Sequence, residues 1–134
     1  MIPGKIGTLL GCVLLMSSSA RAAEEIPSLL GTWSGKVDTI SNKKGLKTRE
    51  RTIHITEQTD RRFRGYFEYE DGRKDFFGVI FPDNVSFGWA SENSKGQVHG
   101  RILGPAKIAS CYIESGSEDA TAGCAELTKV PSKP

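Results

Sequence analysis

Residues 62–90 read RFRGYFEYEDGRKDFFGVIFPDNVSFGWA, and the spacing of their aromatic residues and glycines decides the fold. Phe63, Gly65 and Phe67 alternate with Arg64, Tyr66 and Glu68; beyond Asp71-Gly72, Phe76, Gly78 and Ile80 alternate with Phe77 and Val79. A period of two over short stretches bounded by turn residues is the mark of half-buried strands. Asp-Gly tolerates the positive φ angles of a tight hairpin turn. With Asp71 and Gly72 as the two loop residues, Phe67 opposes Phe76, Gly65 opposes Gly78, Phe63 opposes Ile80 and Glu68 opposes Asp75. If Asp83-Asn84 closes the next hairpin alike, Ile80 opposes Phe87 and Gly78 opposes Trp89, where the missing side chain leaves room for an indole. The two registers agree on one inner face, and a one-residue slip in either would break that agreement.

The same alternation extends outward. Val98, Gly100 and Ile102 are expected inside, with His99 and Arg101 outside; Ile53 and Ile55 share a face that His54 leaves. Strands are expected near residues 32–40, 48–58, 62–69, 74–81, 85–90, 97–103, 107–114 and 122–130, joined by short connections. No stretch keeps a helical apolar rhythm over three turns. The expected fold is therefore all-β: an eight-stranded antiparallel up-and-down β-barrel, with a β-sandwich as the alternative. With a loop at 115–120, Cys111 falls directly opposite Cys124, close enough for a disulfide. Metal ligation by two thiols without a neighbouring histidine would leave zinc half-coordinated.

The start of the chain reads as an address. Lys5 precedes an apolar run over residues 6–16, and Ala20-Arg21-Ala22 offers small residues for signal peptidase, so residues 1–22 are expected to be a signal peptide cleaved after Ala22. The competing reading makes Leu9-Leu10-Gly11-Cys12 a lipobox, with Cys12 lipidated; the apolar run that continues to Met16 argues against it. Residues 23–29 then form a flexible N-terminal segment, 30–130 the barrel and 131–134 a tail. The expected location is periplasmic or secreted. The whole chain has 134 residues, 18 Lys plus Arg, 16 Asp plus Glu and three cysteines. Without Lys5, Arg21 and Cys12 the remainder is formally neutral with two cysteines, which fits one disulfide in an oxidising compartment.

Gly31-Thr32-Trp33 resembles the Gly-x-Trp signature of lipocalins and the opening strand of avidins, the wider calycin group. That resemblance implies a structural role for Gly31 and Trp33, with Lys129 packed across the indole at the closed end. It also implies a ligand-binding interior. Ser34-Gly35-Lys36 does not match the polar part of the avidin site, so biotin is not the expected ligand. Phe63, Phe67, Phe76, Phe87 and Trp89 point inward and could fill an interior of this size.

Candidate chemistry is sparse. His54 and His99 fall at outward positions, and no nucleophile elbow, phosphate-binding glycine loop or His-Glu-x-x-His motif occurs. The chain is expected to be no enzyme and to need no metal or cofactor. Arg49, Arg51 and Glu57 share the face of Ile53 and Ile55 at the strand ends and, with Trp89, are the expected ligand-binding residues. Residues 36–74 hold 11 cations and 7 anions, densest at Lys43-Lys44-Gly45-Leu46-Lys47, which suits a hairpin protected from aggregation or an acidic contact. Neutral overall charge argues against a nucleic-acid partner, and no apolar run reaches the ~20 residues of a helical membrane span. The expected partner is a small apolar or amphipathic ligand. The alternative is a protein partner, since bacterial metalloprotease inhibitors of similar build use an N-terminal arm, the place held here by residues 23–29.

Overall fold

A computed structural model describes residues 1–4, 24–69, 72–116 and 118–133. The expected signal peptide falls almost wholly outside these residues, with its cleavage site and Cys12. Eight strands follow one another: β1 (Gly31–Ser41), β2 (Gly45–Thr59), β3 (Arg62–Tyr69), β4 (Gly72–Ile80), β5 (Ser86–Ser91), β6 (Gly96–Gly104), β7 (Lys107–Glu114) and β8 (Thr121–Lys129). Each pairs antiparallel with the next, and β8 returns to β1, closing the barrel. Closure gives every strand two hydrogen-bonded neighbours, so the sheet has no bare edge.

The β4–β5 register matches expectation, with Ile80 opposite Phe87 and Gly78 opposite Trp89. Asn84 takes φ 58° in the connecting turn. Asp83 fixes that turn by accepting hydrogen bonds from the Val85 amide at 2.9 Å, the Ser86 amide at 2.8 Å and the Ser86 hydroxyl at 2.7 Å. These donors, the Ser86 amide foremost, lower its pKa to about 2.

The β3–β4 register differs by two residues from expectation. Tyr69 pairs with Gly72, so the hairpin closes one residue earlier than an Asp71-Gly72 loop would require. Gly65 now faces Phe76, and Gly78 faces Phe63. The physical reason is volume. A Cβ on Gly65 would lie 2.7 Å from Cζ of Phe76, and one on Gly78 would collide with the Phe63 ring. Each ring lies over a glycine, where the expected register would set ring against ring and glycine against glycine. The shift also moves Asp75 away from Glu68, since Glu68 faces Arg73 and Asp75 pairs with Arg73 at 3.1 Å.

A second correction lies in β2. A bulge between Ile55 and Glu57 turns Glu57 to the outer wall, opposite Arg64, with which it forms a 2.8 Å ion pair. An extra residue in one strand reverses the facing of everything beyond it. The same bulge brings Gln58 opposite the inward Phe63. There its side chain accepts from the Leu29 amide at 2.8 Å and donates to the Pro27 carbonyl at 2.8 Å. Leu29 is buried, and Ile26 packs against the core. Residues 26–29 of the expected flexible arm are thus docked over one end of the barrel.

That end is sealed. Trp33 is fully buried, donates its indole N–H to the Leu29 carbonyl at 2.9 Å, and carries Nζ of Lys129 at 5.4 Å from its ring centroid. A cation over an indole contributes ~0.5–2 kcal/mol. The Lys129 stem crosses so close to Gly31 that a Cβ there would lie 2.8 Å from Cε, and Gly31 also holds φ 129°. The Gly-x-Trp resemblance therefore has a mechanical basis in this chain. Cys111 and Cys124 are bridged between β7 and β8 as expected, closing a 13-residue separation worth ~3 kcal/mol through loop entropy.

Candidate ligand site

Along β1, β5, β7 and β8 the inward side chains begin large and apolar at the sealed end and finish small or polar at the other. Trp33 gives way to Gly35, Val37 and Thr39 on β1; Leu127 to Ala125 and Gly123 on β8; Ile108 to Ser110 and Tyr112 on β7; Phe87 to Trp89 and Ser91 on β5. In the sealed half the rings interlock. Phe63 meets Phe76, Phe87 and Trp89 edge-on with centroids 6.3–6.5 Å apart, and Trp89 stacks on Phe76 at 4.6 Å and on Phe87 at 5.6 Å. Phe63, Phe76, Phe87 and Trp89 thus fill only half of the interior, and Phe67 stands apart in the other. The other half holds a cavity of about 230 Å³.

Trp89 forms the floor of this cavity, with Ile53 and Val98 beside it, and Arg51, Phe67, Lys74 and Tyr112 stand around its upper wall. Serines 91, 94 and 110 supply hydroxyls. Arg51 is half-buried and lies with Cζ 4.9 Å from the Phe67 ring centroid. Loss of hydration by burial, and secondly the like charge of Arg49, lower its pKa. Lys74 stands opposite Phe67 in the β3–β4 register and lines the same cavity, with its Nζ 6.0 Å from the Tyr69 ring centroid. Across the barrel, Tyr112 donates to Glu114 at 2.7 Å, and its hydroxyl lies 3.2 Å from Oγ of Ser94. Burial raises the Tyr112 pKa; the Ser94 contact acts against this, and Glu114 reinforces it.

Of the expected ligand residues, Arg51 and Trp89 come together in the cavity. Arg49 lies two residues further along the same face and is exposed at the rim. Glu57 belongs to neither group, because the bulge puts it on the outer wall beside the sealed end. Lys74, Phe67 and Tyr112 were not singled out as ligand residues from sequence. Their signal was parity, since Lys74 alternates in step with Phe76 and Ile80, and Tyr112 with Ile108.

Both histidines lie outside the barrel. His54 approaches Oγ1 of Thr32 at 3.1 Å and stacks on Tyr66 at 4.6 Å, and His99 is exposed. A wider outer groove of about 720 Å³ runs past Arg64, Phe77, Val79 and His99. It lies open along its length, whereas the interior cavity is enclosed by the barrel wall, which suits it better to hold a small molecule.

No protein-family model matches the chain, and no curated protein matches it in sequence. Solved structures do match it. EF1p2_mFAP2b, in a structure bound to DFHBI, superposes with a TM-score of 0.52 over 76% of this chain and 94% of that one, at 15% identity. The S-type phycobiliprotein lyase CPES from Guillardia theta gives a TM-score of 0.52 over 78% of this chain and 90% of its own, at 14% identity. At these identities the likeness is one of fold, and the fold is the small closed eight-stranded barrel expected from the sequence.

Proposed function

We propose that this protein is a non-catalytic, exported carrier or sensor that binds a small, largely apolar molecule in the open half of its barrel. The observation that carries this reading is the half-and-half interior, in which interlocked rings fill one end and a cavity floored by Trp89 remains at the other. At about 230 Å³ the cavity lies below the ~300–1,000 Å³ typical of drug-sized ligands, so the occupant is one ring system or a short chain. Two similar folds lend support, one in complex with DFHBI and one a phycobiliprotein lyase. Export is supported by the expected leader together with the Cys111–Cys124 disulfide, which favours an oxidising compartment. Both histidines lie on the outer wall, away from the cavity, and this supports binding over catalysis.

The protease-inhibitor alternative is weakened by the docking of Leu29 and Ile26, which leaves Glu24, Glu25 and Ser28 as the exposed described residues of the arm. A thermal-shift and native mass spectrometry screen of small aromatic and aliphatic compounds tests the proposal. Compounds that raise the melting temperature of the wild type and lose that effect in Val98→Trp, which fills the cavity, support it. A screen in which no compound binds overturns it.

A further inference from the structure

We propose that the ligand is an organic anion, a small ring or chain bearing one carboxylate whose head sits between Arg51 and Lys74. This rests on the reading of the interior cavity as the ligand site. Both cations line the cavity, Arg51 over the Phe67 ring and Lys74 on the strand position opposite Phe67 with its Nζ toward Tyr69. Among the described residues neither has a carboxylate within ion-pair distance.

Several acids of the open end are engaged elsewhere. Glu114 accepts from Tyr112, Glu118 pairs with Lys43 at 3.1 Å, and Asp119 accepts from the Lys43 amide at 2.8 Å. Arg49 adds a further positive charge at the rim. A half-buried guanidinium beside like charges, with its hydration reduced, is stabilised by an anion that enters the same low-dielectric space. Arginine also presents a planar fork that matches a carboxylate.

The rest of the cavity sets the body of the ligand. Trp89, Ile53 and Val98 give an apolar floor, which a bare inorganic ion would leave unfilled. The volume is too small for a nucleotide-sized anion. A compact amphipathic acid satisfies both limits, with its head on the cations and its body on the indole.

Calorimetric titration with 1-naphthoate and its neutral isostere 1-naphthamide tests this on the purified protein. The expected result is that naphthoate binds about 10- to 100-fold more tightly, the range of a charge-assisted hydrogen bond. Arg51→Gln should remove most of that preference while leaving naphthamide affinity in place. Arg51→Lys should retain much of it, and Lys44→Gln, on the exposed hairpin, should leave it unchanged. Equal affinity for the two compounds in the wild type overturns the anion proposal but leaves the cavity as a site. A preference that survives in Arg51→Gln/Lys74→Gln overturns the placement of the head. Failure of both compounds to bind overturns the proposal together with the reading on which it rests.

Discussion

The two ends of this barrel are built from the same eight strands, yet one is solid and the other is hollow. At the sealed end, Trp33, Phe63, Ile80, Phe87, Ile108 and Leu127 converge, and Leu29 closes over them. At the open end the same strands contribute Thr39, Ser91, Ser110 and Gly123, with Arg51 and Lys74. Backbone pairing cannot explain the difference, because the ladders run through both halves. It comes from the taper in side-chain volume along β1, β5, β7 and β8. A barrel of this strand number has an interior just wide enough to be filled by large side chains or to admit one small ligand. This chain does each in a different half.

The largest expected effect separates the halves by stability. Trp33→Ala should cost about 3–5 kcal/mol, because it removes a fully buried indole together with its hydrogen bond to Leu29 and its contact with Lys129. Ser110→Ala, lining the cavity, should stay within about 0.5 kcal/mol. Urea denaturation of both variants measures the contrast. Similar costs at the two positions would break the distinction between a packed half and a binding half.

How far sequence reading reached follows from the same contrast. Alternation identified the inner face of every strand from β3 to β6, and the pairings Gly78–Trp89 and Cys111–Cys124 were legible from turn positions alone. The β3–β4 pairing was not, because a two-residue shift keeps every side chain on its face and alternation is blind to it. Volume would have decided it, since each ring then meets a glycine. Glu57 was misplaced because the bulge between Ile55 and Glu57 has no glycine or proline to announce it. Gln58, whose side chain holds Leu29 and Pro27, went unnoticed for the same reason.

A smaller effect sharpens the packing argument. Gly65→Ala should cost about 1–3 kcal/mol, because the new methyl group meets Phe76 and the His54 carbonyl across the β2–β3 and β3–β4 pairs. Little or no destabilisation would mean that the rings in the sealed half are free to move aside, and the packing would then be looser than described.

The smallest effect concerns the turn beside the sealed end. Asp83 has its pKa lowered to about 2, from an ordinary value of about 3.9, by amide and hydroxyl donors. A depressed carboxylate pKa gives stability that is present above the unfolded value and is lost as pH falls through the folded one. Wild type should therefore lose a small increment of stability between about pH 4 and pH 2 that Asp83→Asn does not lose. Parallel pH titrations of urea midpoints read the difference. Identical acid profiles for the two proteins would remove Asp83 as a clamp of this turn.

The central claim, that the open half alone admits a ligand, can be read from two resonances. The chain has two tryptophans, Trp33 in the sealed half and Trp89 at the floor of the cavity. In a ¹⁵N-labelled sample titrated with 1-naphthoate, the Trp89 indole N–H signal should shift while that of Trp33, held by the Leu29 carbonyl, stays in place. A titration in which neither signal moves, or in which shifts gather on the outer-wall residues Phe77, Val79 and His99, would contradict it.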